Sequence, residues 1–303
     1  MPIQVVYLVV ITLIAGIVNG GLGYGFSSIT VPLALLFLSN RVLNPALVLI
    51  EVALNAYVLF VNRDALSGVW RRVMPIILGL LPGVIAGTLI VSRVNSSWLK
   101  LSTYVILLPV ILIQAAGYRR PIRSERSIGL PFGLGLGVLY SVTTISGPPL
   151  AVMLNNQGYA KREFRAALGL IRLAESSFTA IAYLSAGLIT TTSLTLIPQI
   201  LPSVLIGVPI GAFLIRHIRP ETFRRVCMSF DAYIVAFGVS TIVRDIKIVE
   251  GPRAFLFLGM VILIDACMLW RFFTTSEEPQ PQPRSEPVSP LLSVKAARAG
   301  ERT

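Results

Sequence analysis

At 303 residues the chain is long enough for a soluble domain, but 54% of it is hydrophobic and only 13% is charged, against about 25% charged in a typical water-soluble protein. Its formal charge of +12 does not point to nucleic acid, because the Lys and Arg residues sit in short loops between apolar runs, the arrangement that orients membrane proteins. The composition places the chain in a lipid bilayer and excludes a soluble globular domain.

Met1-Pro2-Ile3-Gln4 lacks the basic start of a cleavable leader, so the first apolar run, 3–20, is expected to be kept as a helix. It runs into Gly16, Gly20, Gly21, Gly23 and Gly25, and the apolar segment 23–38 is broken by Gly and Pro. Runs at 43–61, 73–92 and 97–117 follow. Segment 128–156 is broken again, by Gly133, Gly135, Gly137 and Ser146-Gly147-Pro148-Pro149, and runs at 167–188, 194–215, 226–243 and 254–270 complete the series. Each unbroken run suffices to cross a hydrocarbon core, which takes roughly 20 helical residues. The sequence therefore predicts an all-α integral membrane protein with about eight transmembrane helices plus two broken, re-entrant hairpins. The last stretch, 274–303, is rich in Pro, Ser and charge and is expected to be a disordered tail. Cys227 and Cys267 lie inside apolar runs with no metal-ligand spacing, so they are expected to be packing residues, and no metal or cofactor is called for.

The two broken segments are copies of one another. At an offset of 117, Gly16 falls on Gly133, Gly20 on Gly137 and Pro32 on Pro149. Farther on the offset grows to 124, and Glu51 falls on Glu175, Ala56 on Ala180, Gly83 on Gly207 and Gly87 on Gly211. Twofold internal repetition with interrupted apolar segments at matching places marks many transporter folds and points to their binding sites. The expected organisation is a first membrane repeat at 1–117, a basic cytoplasmic linker at 118–127, a second repeat at 128–245, an additional transmembrane helix at 246–273 and the tail at 274–303. If each broken hairpin enters and leaves on the same side, the repeats are inverted. Loops 62–72, 118–127, 157–166 and 215–225 then share a side and hold fourteen Lys and Arg, against six in loops 39–44, 93–100, 187–194 and 244–253. The excess of positive charge on cytoplasmic loops favours this inverted reading, with the tail in the cytoplasm and the N-terminus outside.

The most specific stretch is Ser146-Gly147-Pro148-Pro149-Leu150, continuing to Lys161-Arg162-Glu163-Phe164-Arg165-Ala166. It resembles the second-repeat signature of the sulfite exporter TauE/SafE family of membrane permeases, and the glycine-rich turn Gly20 to Gly25 with Val31-Pro32 resembles the first-repeat counterpart. The resemblance covers residues 1 to about 245. It implies a multi-pass permease of the bacterial inner membrane for sulfur-containing or organic anions such as sulfite, sulfoacetate or thiosulfate. The chain departs from that pattern in a looser first turn, and in Glu51 and Glu175, which stand where the resemblance implies small or apolar residues.

An anion inside a bilayer needs donors and positive potential. A broken helix supplies unpaired N–H groups and the positive end of its dipole. The candidate substrate-binding residues are therefore those of the two turns: Gly21, Gly23, Gly25, Ser27, Ser28 and Thr30 in the first, and Ser141, Thr143, Thr144, Ser146, Gly147 and Pro148 in the second. The plainer reading is that these small residues only let helices pack closely. Arg172, within the run 167–188, is either an anion-attracting group or an interfacial arginine reaching lipid headgroups, with Glu175 as its neighbour one turn on. Glu51 and Glu175 are candidate proton-coupling carboxylates or helix-to-helix ties, and Asn55, one turn beyond Glu51, is a further polar contact. Lys161, Arg162 and Arg165 anchor the chain on the cytoplasmic side and concentrate anions there.

The leading function is a secondary transporter for a small anion, working by alternating access, with the proton as a candidate coupling ion. The alternatives are an integral-membrane enzyme acting on a lipid-type substrate and an anion channel. The single histidine, His217, lies in a loop, and neither HExxH nor GxxxxGK[ST] occurs, so zinc-protease chemistry and direct ATP driving have no motif here. The partners expected are the anion, the bilayer and, for the oligomeric state, a homodimer.

Overall fold

A computed structural model of the chain describes residues 3–115, 125–157, 159, 161–214, 217 and 220–275. Among these residues the structure is all-α, with no strand. The helices are α1 (Ile3–Leu22), α2 (Phe26–Ala34), α3 (Asn40–Val61), α4 (Leu66–Arg93), α5 (Ser96–Ala115), α6 (Glu125–Thr143), α7 (Gly147–Asn156), α8 (Lys161–Ser185), α9 (Thr191–Leu214), α10 (Pro220–Asp245) and α11 (Leu256–Thr275). Most of the basic linker (118–124) and of the tail (276–303) lies outside the described residues. By contacts the chain divides into Met1–Met268, which holds the helical core, and Leu269–Thr303, whose described part is the last turns of α11.

Six of the helices (α1, α3, α4, α8, α9 and α11) are long and apolar enough to cross a membrane, and α5 and α10, with 20 and 26 residues, have the length. The polarity is inverted relative to a soluble protein. Leu78, Leu81, Ile85, Leu205, Ile206, Phe213 and Leu263 are exposed, whereas Glu51, Arg172 and Glu175 are buried. Water would disfavour such a surface, and lipid accommodates it. The protein is a multi-pass membrane protein.

Glycine sets the closest helix pairs. Gly79, Gly83 and Gly87 form one stripe on α4 and meet Gly133, Gly137 and Ser141 of α6. Gly16 and Gly20 of α1 meet Gly207 and Val208 of α9, and Gly211 of α9 meets Ile17 of α1. Residues four apart share a helix face, so each stripe is a flat groove into which the partner backbone sinks. A Cβ at Gly133 would fall on the carbonyl of Ile76, and one at Gly211 on that of Ile17. This is the small-residue packing that drives helix association where lipid removes the hydrophobic effect.

The pairings also fix helix direction. Rising numbers on α1 meet rising numbers on α9, and the same holds for α4 with α6, so both pairs run parallel. By contrast Gly169 of α8 meets Leu59 of α3, and Asn55 reaches back to the carbonyl of Arg172, so α3 and α8 run antiparallel. On one face Lys100 holds the carbonyl of Leu35 and Arg41 those of Ser92 and Val94, which puts the end of α2 level with the α4–α5 connection. Arg72, near the start of α4, reaches the carbonyl of Gln157 at the end of α7, on the opposite face. Hairpin α1–α2 therefore enters and leaves on one face, and hairpin α6–α7 on the other. Exchanging α1–α5 for α6–α10 preserves the pairings: α1 with α9 becomes α6 with α4, α2 with α10 becomes α7 with α5, and α3 with α8 maps onto itself.

Two expectations change. Helix α1 continues through Gly16, Gly20 and Gly21 to Leu22, so the first break is confined to Gly23–Gly25, and Gly16 and Gly20 serve the seam with α9. Cys267 is exposed on α11 rather than packed in the core, while the side chain of Cys227 lies outside the described residues.

Gly83→Leu and Gly211→Leu are expected to destabilise the fold severely, each by more than the roughly 1–3 kcal/mol of ordinary overpacking, because the obstacle is backbone. Gly135→Leu, whose added Cβ meets nothing within 4 Å, should be tolerated. Thermal unfolding and size-exclusion behaviour in detergent check both expectations.

Candidate functional site

The first turn is Gly23-Tyr24-Gly25, with φ of 84° at Gly23 and 105° at Gly25. Only glycine adopts such angles without steric cost. The turn releases the chain into α2 with no side-chain cap, so the N–H groups of Phe26, Ser27 and Ser28 have no partner within the helix. The second turn is Thr144-Ile145-Ser146. Thr144 stands at φ 57°, a left-handed conformation that a β-branched residue adopts only at a cost of about 1–3 kcal/mol. The N–H of Ile145 donates to Thr143 Oγ1 at 3.0 Å and helps hold the turn. The tips of the two hairpins touch: a Cβ on Gly147 would lie 3.1 Å from that of Tyr24.

Ser27 and Ser146 open the two short helices, and each donates its hydroxyl to a carboxylate, Ser27 to Glu51 on α3 and Ser146 to Glu175 on α8. Both glutamates lie near the middle of their helices, which places the turns at mid-depth. Arg172 donates from Nη2 to Glu51 Oε1 at 2.8 Å. Tyr140 of α6 donates to Glu51 Oε2 at 2.7 Å. Asn55 Nδ2 and Ser176 Oγ donate to the carbonyl of Arg172 at 3.4 and 2.8 Å. The side chains of Arg172 and Glu51 are 2% and 0% exposed, so Arg172 does not reach lipid headgroups. Nor is its partner the nearby Glu175: α3 and α8 cross at this level and bring Glu51 closer.

Several polar atoms in this cluster are buried without a partner: Nε and Nη1 of Arg172, Oε1 of Glu175 and the hydroxyls of Thr30 and Thr179. A buried donor or acceptor left unpaired costs about 1–3 kcal/mol, more when it is charged. Such a concentration of unspent hydrogen-bonding capacity around a guanidinium and two helix N-termini suits a small polar anion.

The other candidates lie in and around the same turns. Gly21 is helical. Ser141, Thr143 and Thr144 hydrogen-bond the carbonyls of Gly137, Leu139 and Thr143, so their protons are already in use. Pro148, with Pro149 beside it, opens α7 without an N–H, which leaves Gly147 as the main backbone donor there. Ser28 is buried beside Ser27. Tyr140 escaped the sequence reading because a tyrosine in an apolar run looks like a packing residue. Its position one turn before Thr144 was the available signal. Asn44 and Tyr183, likewise unmarked, hold the carbonyls of Val142 and Ser141 and so fix the end of α6.

Where α8 begins, Arg162 and Arg165 line a cavity of about 340 Å³ with Val61, Asn62, Asp64 and Ala65. The side chain of Lys161 lies outside the described residues. His217 is exposed and packs against the ring of Phe213. Among the described residues no three His, Cys, Asp or Glu side chains group as a metal site requires.

Neither a curated protein nor a solved structure matches the chain. The family model described as sulfite exporter TauE/SafE matches residues 8–238, from α1 into α10, and takes in both hairpins and the whole Glu51–Arg172–Glu175 cluster. With three quarters of its length matched, including every helix that builds the site, the chain belongs to the sulfite exporter TauE/SafE family of membrane transporters.

Proposed function

We propose that the protein is a secondary carrier for a small anion, a sulfur oxyanion or an organic sulfonate such as sulfite or sulfoacetate, in the bacterial inner membrane. The observation that carries this reading is Arg172: a guanidinium buried at mid-depth, with Nε and Nη1 free of protein partners, beside the N-terminus of α2. Each of these nitrogens leaves an N–H able to donate a charge-assisted hydrogen bond to an oxyanion. The N–H groups of Ser27 and Ser28 and the dipole of α2 add potential of the same sign.

The hairpins support alternating access. Each approaches the site from one face, and their tips meet at Tyr24 and Gly147. Withdrawing one tip exposes the site to its own side while the other still seals it. The central polar side chains are all but fully buried, which favours a gated carrier over a channel with an open polar path. The antiparallel course of α3 and α8 supports inverted repeats, and the fourteen basic residues on one set of loops support a cytoplasmic tail. Arg162 and Arg165 then stand at the cytoplasmic mouth, where they raise the local anion concentration. Glu51 and Glu175 are the carboxylates available for proton coupling.

In liposomes containing the purified protein, labelled sulfite and sulfoacetate should enter saturably. Arg172→Gln should lower kcat/KM by about 100-fold, the value of two charge-assisted hydrogen bonds of about 1.5 kcal/mol each. An absence of flux for every sulfur oxyanion and organic acid tested would sink the proposal. Neutralising Arg162 and Arg165 together should raise KM about 3–10-fold at low ionic strength and have little effect at 1 M salt, where the screening length is about 3 Å. In a cysteine-free background, Ser97→Cys should react with an impermeant maleimide from outside the cell and Ser67→Cys only after permeabilisation. The reverse pattern would refute the orientation.

A further inference from the structure

We infer that the two central glutamates, equivalent in the repeat, divide the work: Glu175 carries the transported proton, and Glu51 is a permanent counter-ion that positions Arg172. The inference rests on the anion-carrier reading and assigns the coupling within that site.

The hydrogen-bond partners differ sharply. Glu51 accepts three donors: Ser27 and Arg172 on Oε1 and Tyr140 on Oε2. An ionised carboxylate is purely an acceptor, and three donors from three other segments fit that state. A proton on Glu51 would weaken the bonds these donors make and would leave Arg172 without a counter-charge. Glu175 accepts one donor, Ser146 on Oε2, while Oε1 is buried without a partner. Oε1 is thus free to carry a proton, and the resulting O–H adds a donor for an anion. The asymmetry is written in the sequence. At the offset that superposes Glu51 on Glu175, Arg172 falls on Val48, so the pair of glutamates shares a single guanidinium and Glu51 has taken it.

Charge balance turns this difference into coupling. Arg172 and Glu51 cancel. With Glu175 ionised the site is already negative, and an incoming anion would double that charge in a buried, low-dielectric interior. With Glu175 protonated the site is neutral and accepts the anion. The carboxyl takes a proton at Oε1 from water on the open side, the O–H bond persists while the anion is bound, and after the switch the bond breaks and the proton leaves to water on the other side. One proton accompanies each anion. The charged and titratable groups facing Glu175 are few. Helix α8 itself contributes Arg172, α3 contributes Glu51, and α6 contributes Tyr140 beside Glu51. Helix α7 contains no titratable side chain, and α4 carries its charges, Arg71, Arg72 and Arg93, toward its ends.

The test uses the full chain in liposomes with labelled sulfite and sulfoacetate, assayed separately in two modes: accumulation driven by a pH gradient, and anion-for-anion exchange at equal pH. Glu175→Gln, which mimics the protonated acid, should lose gradient-driven accumulation at least tenfold and still exchange anions, and that exchange also shows that the variant is folded. Glu51→Gln should lose both modes, and Glu51→Asp, which keeps the charge, should recover both in part. Coupling that survives in Glu175→Gln overturns the assignment, as does a Glu51→Gln protein that exchanges anions without coupling, or wild-type flux indifferent to pH. These results leave the carrier reading standing. No flux of either anion through the wild-type protein overturns both.

Discussion

A guanidinium and a carboxylate from opposite halves of the chain meet at 2.8 Å in the buried centre of this protein, and the rest of the structure is arranged around keeping them there. Taking two charges out of water costs several kcal/mol per ion, and their attraction returns that cost only with good geometry and further hydrogen bonds. Here Ser27 and Tyr140 supply those bonds to the carboxylate, while Asn55 and Ser176 hold the backbone carbonyl of the arginine. The pair joins α3 to α8, so the centre of each half is specified by a charge in the other. Removing one partner from a buried pair typically costs about 3–5 kcal/mol, a large share of what holds any single domain together.

The hairpins bring donors to this pair without bringing further fixed charge. Gly25 and Thr144, one relaxed and one strained in the left-handed region, do equivalent jobs on the two sides of the site. The first turn is made of glycines and leaves three N–H groups at the start of α2. The second is followed by two prolines and leaves chiefly one. Two turns that look alike in sequence therefore offer different numbers of backbone donors, and the terminus with more of them is the one whose Ser27 shares Glu51 with Arg172.

Much of this was legible in the sequence, because lipid imposes simple rules. Long apolar runs gave α1, α3, α5 and α9 to within three residues at each end, while α4 and α8 begin seven and six residues before their runs, and Gly-Pro interruptions gave the positions of both broken hairpins. The carboxylates and Arg172 were visible as charges in apolar runs. Their pairing was not. Glu175 is the natural partner of Arg172 by helical spacing, and only the crossing of α3 over α8, 121 positions apart in the chain, brings Glu51 closer. The glycines were visible too, but their two uses were not separable: Gly23 and Gly25 turn the backbone, while Gly16, Gly20 and Gly21 belong to a helix whose face is pressed on α9. The hydrogen bonds of the hydroxyls were not legible for a related reason. Ser141 and Thr143 stand beside the turn in sequence, yet their protons are spent on the carbonyls one helical turn back. Tyr183 carried no local signal, and Tyr140 only its place one turn before Thr144.

The glycine seams have a consequence for how the protein is made. Helix α1 leaves the ribosome well before α9, yet the groove at Gly16 and Gly20 is filled by α9, whose Gly207 lies 191 positions later. Helix α4 likewise waits for α6. Until then each presents lipid with a stripe of bare backbone, the surface most prone to pair with another small-residue helix in the same membrane. The first half of the chain is therefore an unfinished object that needs its second half as a template. Its assembly is a race between translation and mispairing, with the slowest closure set by the longest seam.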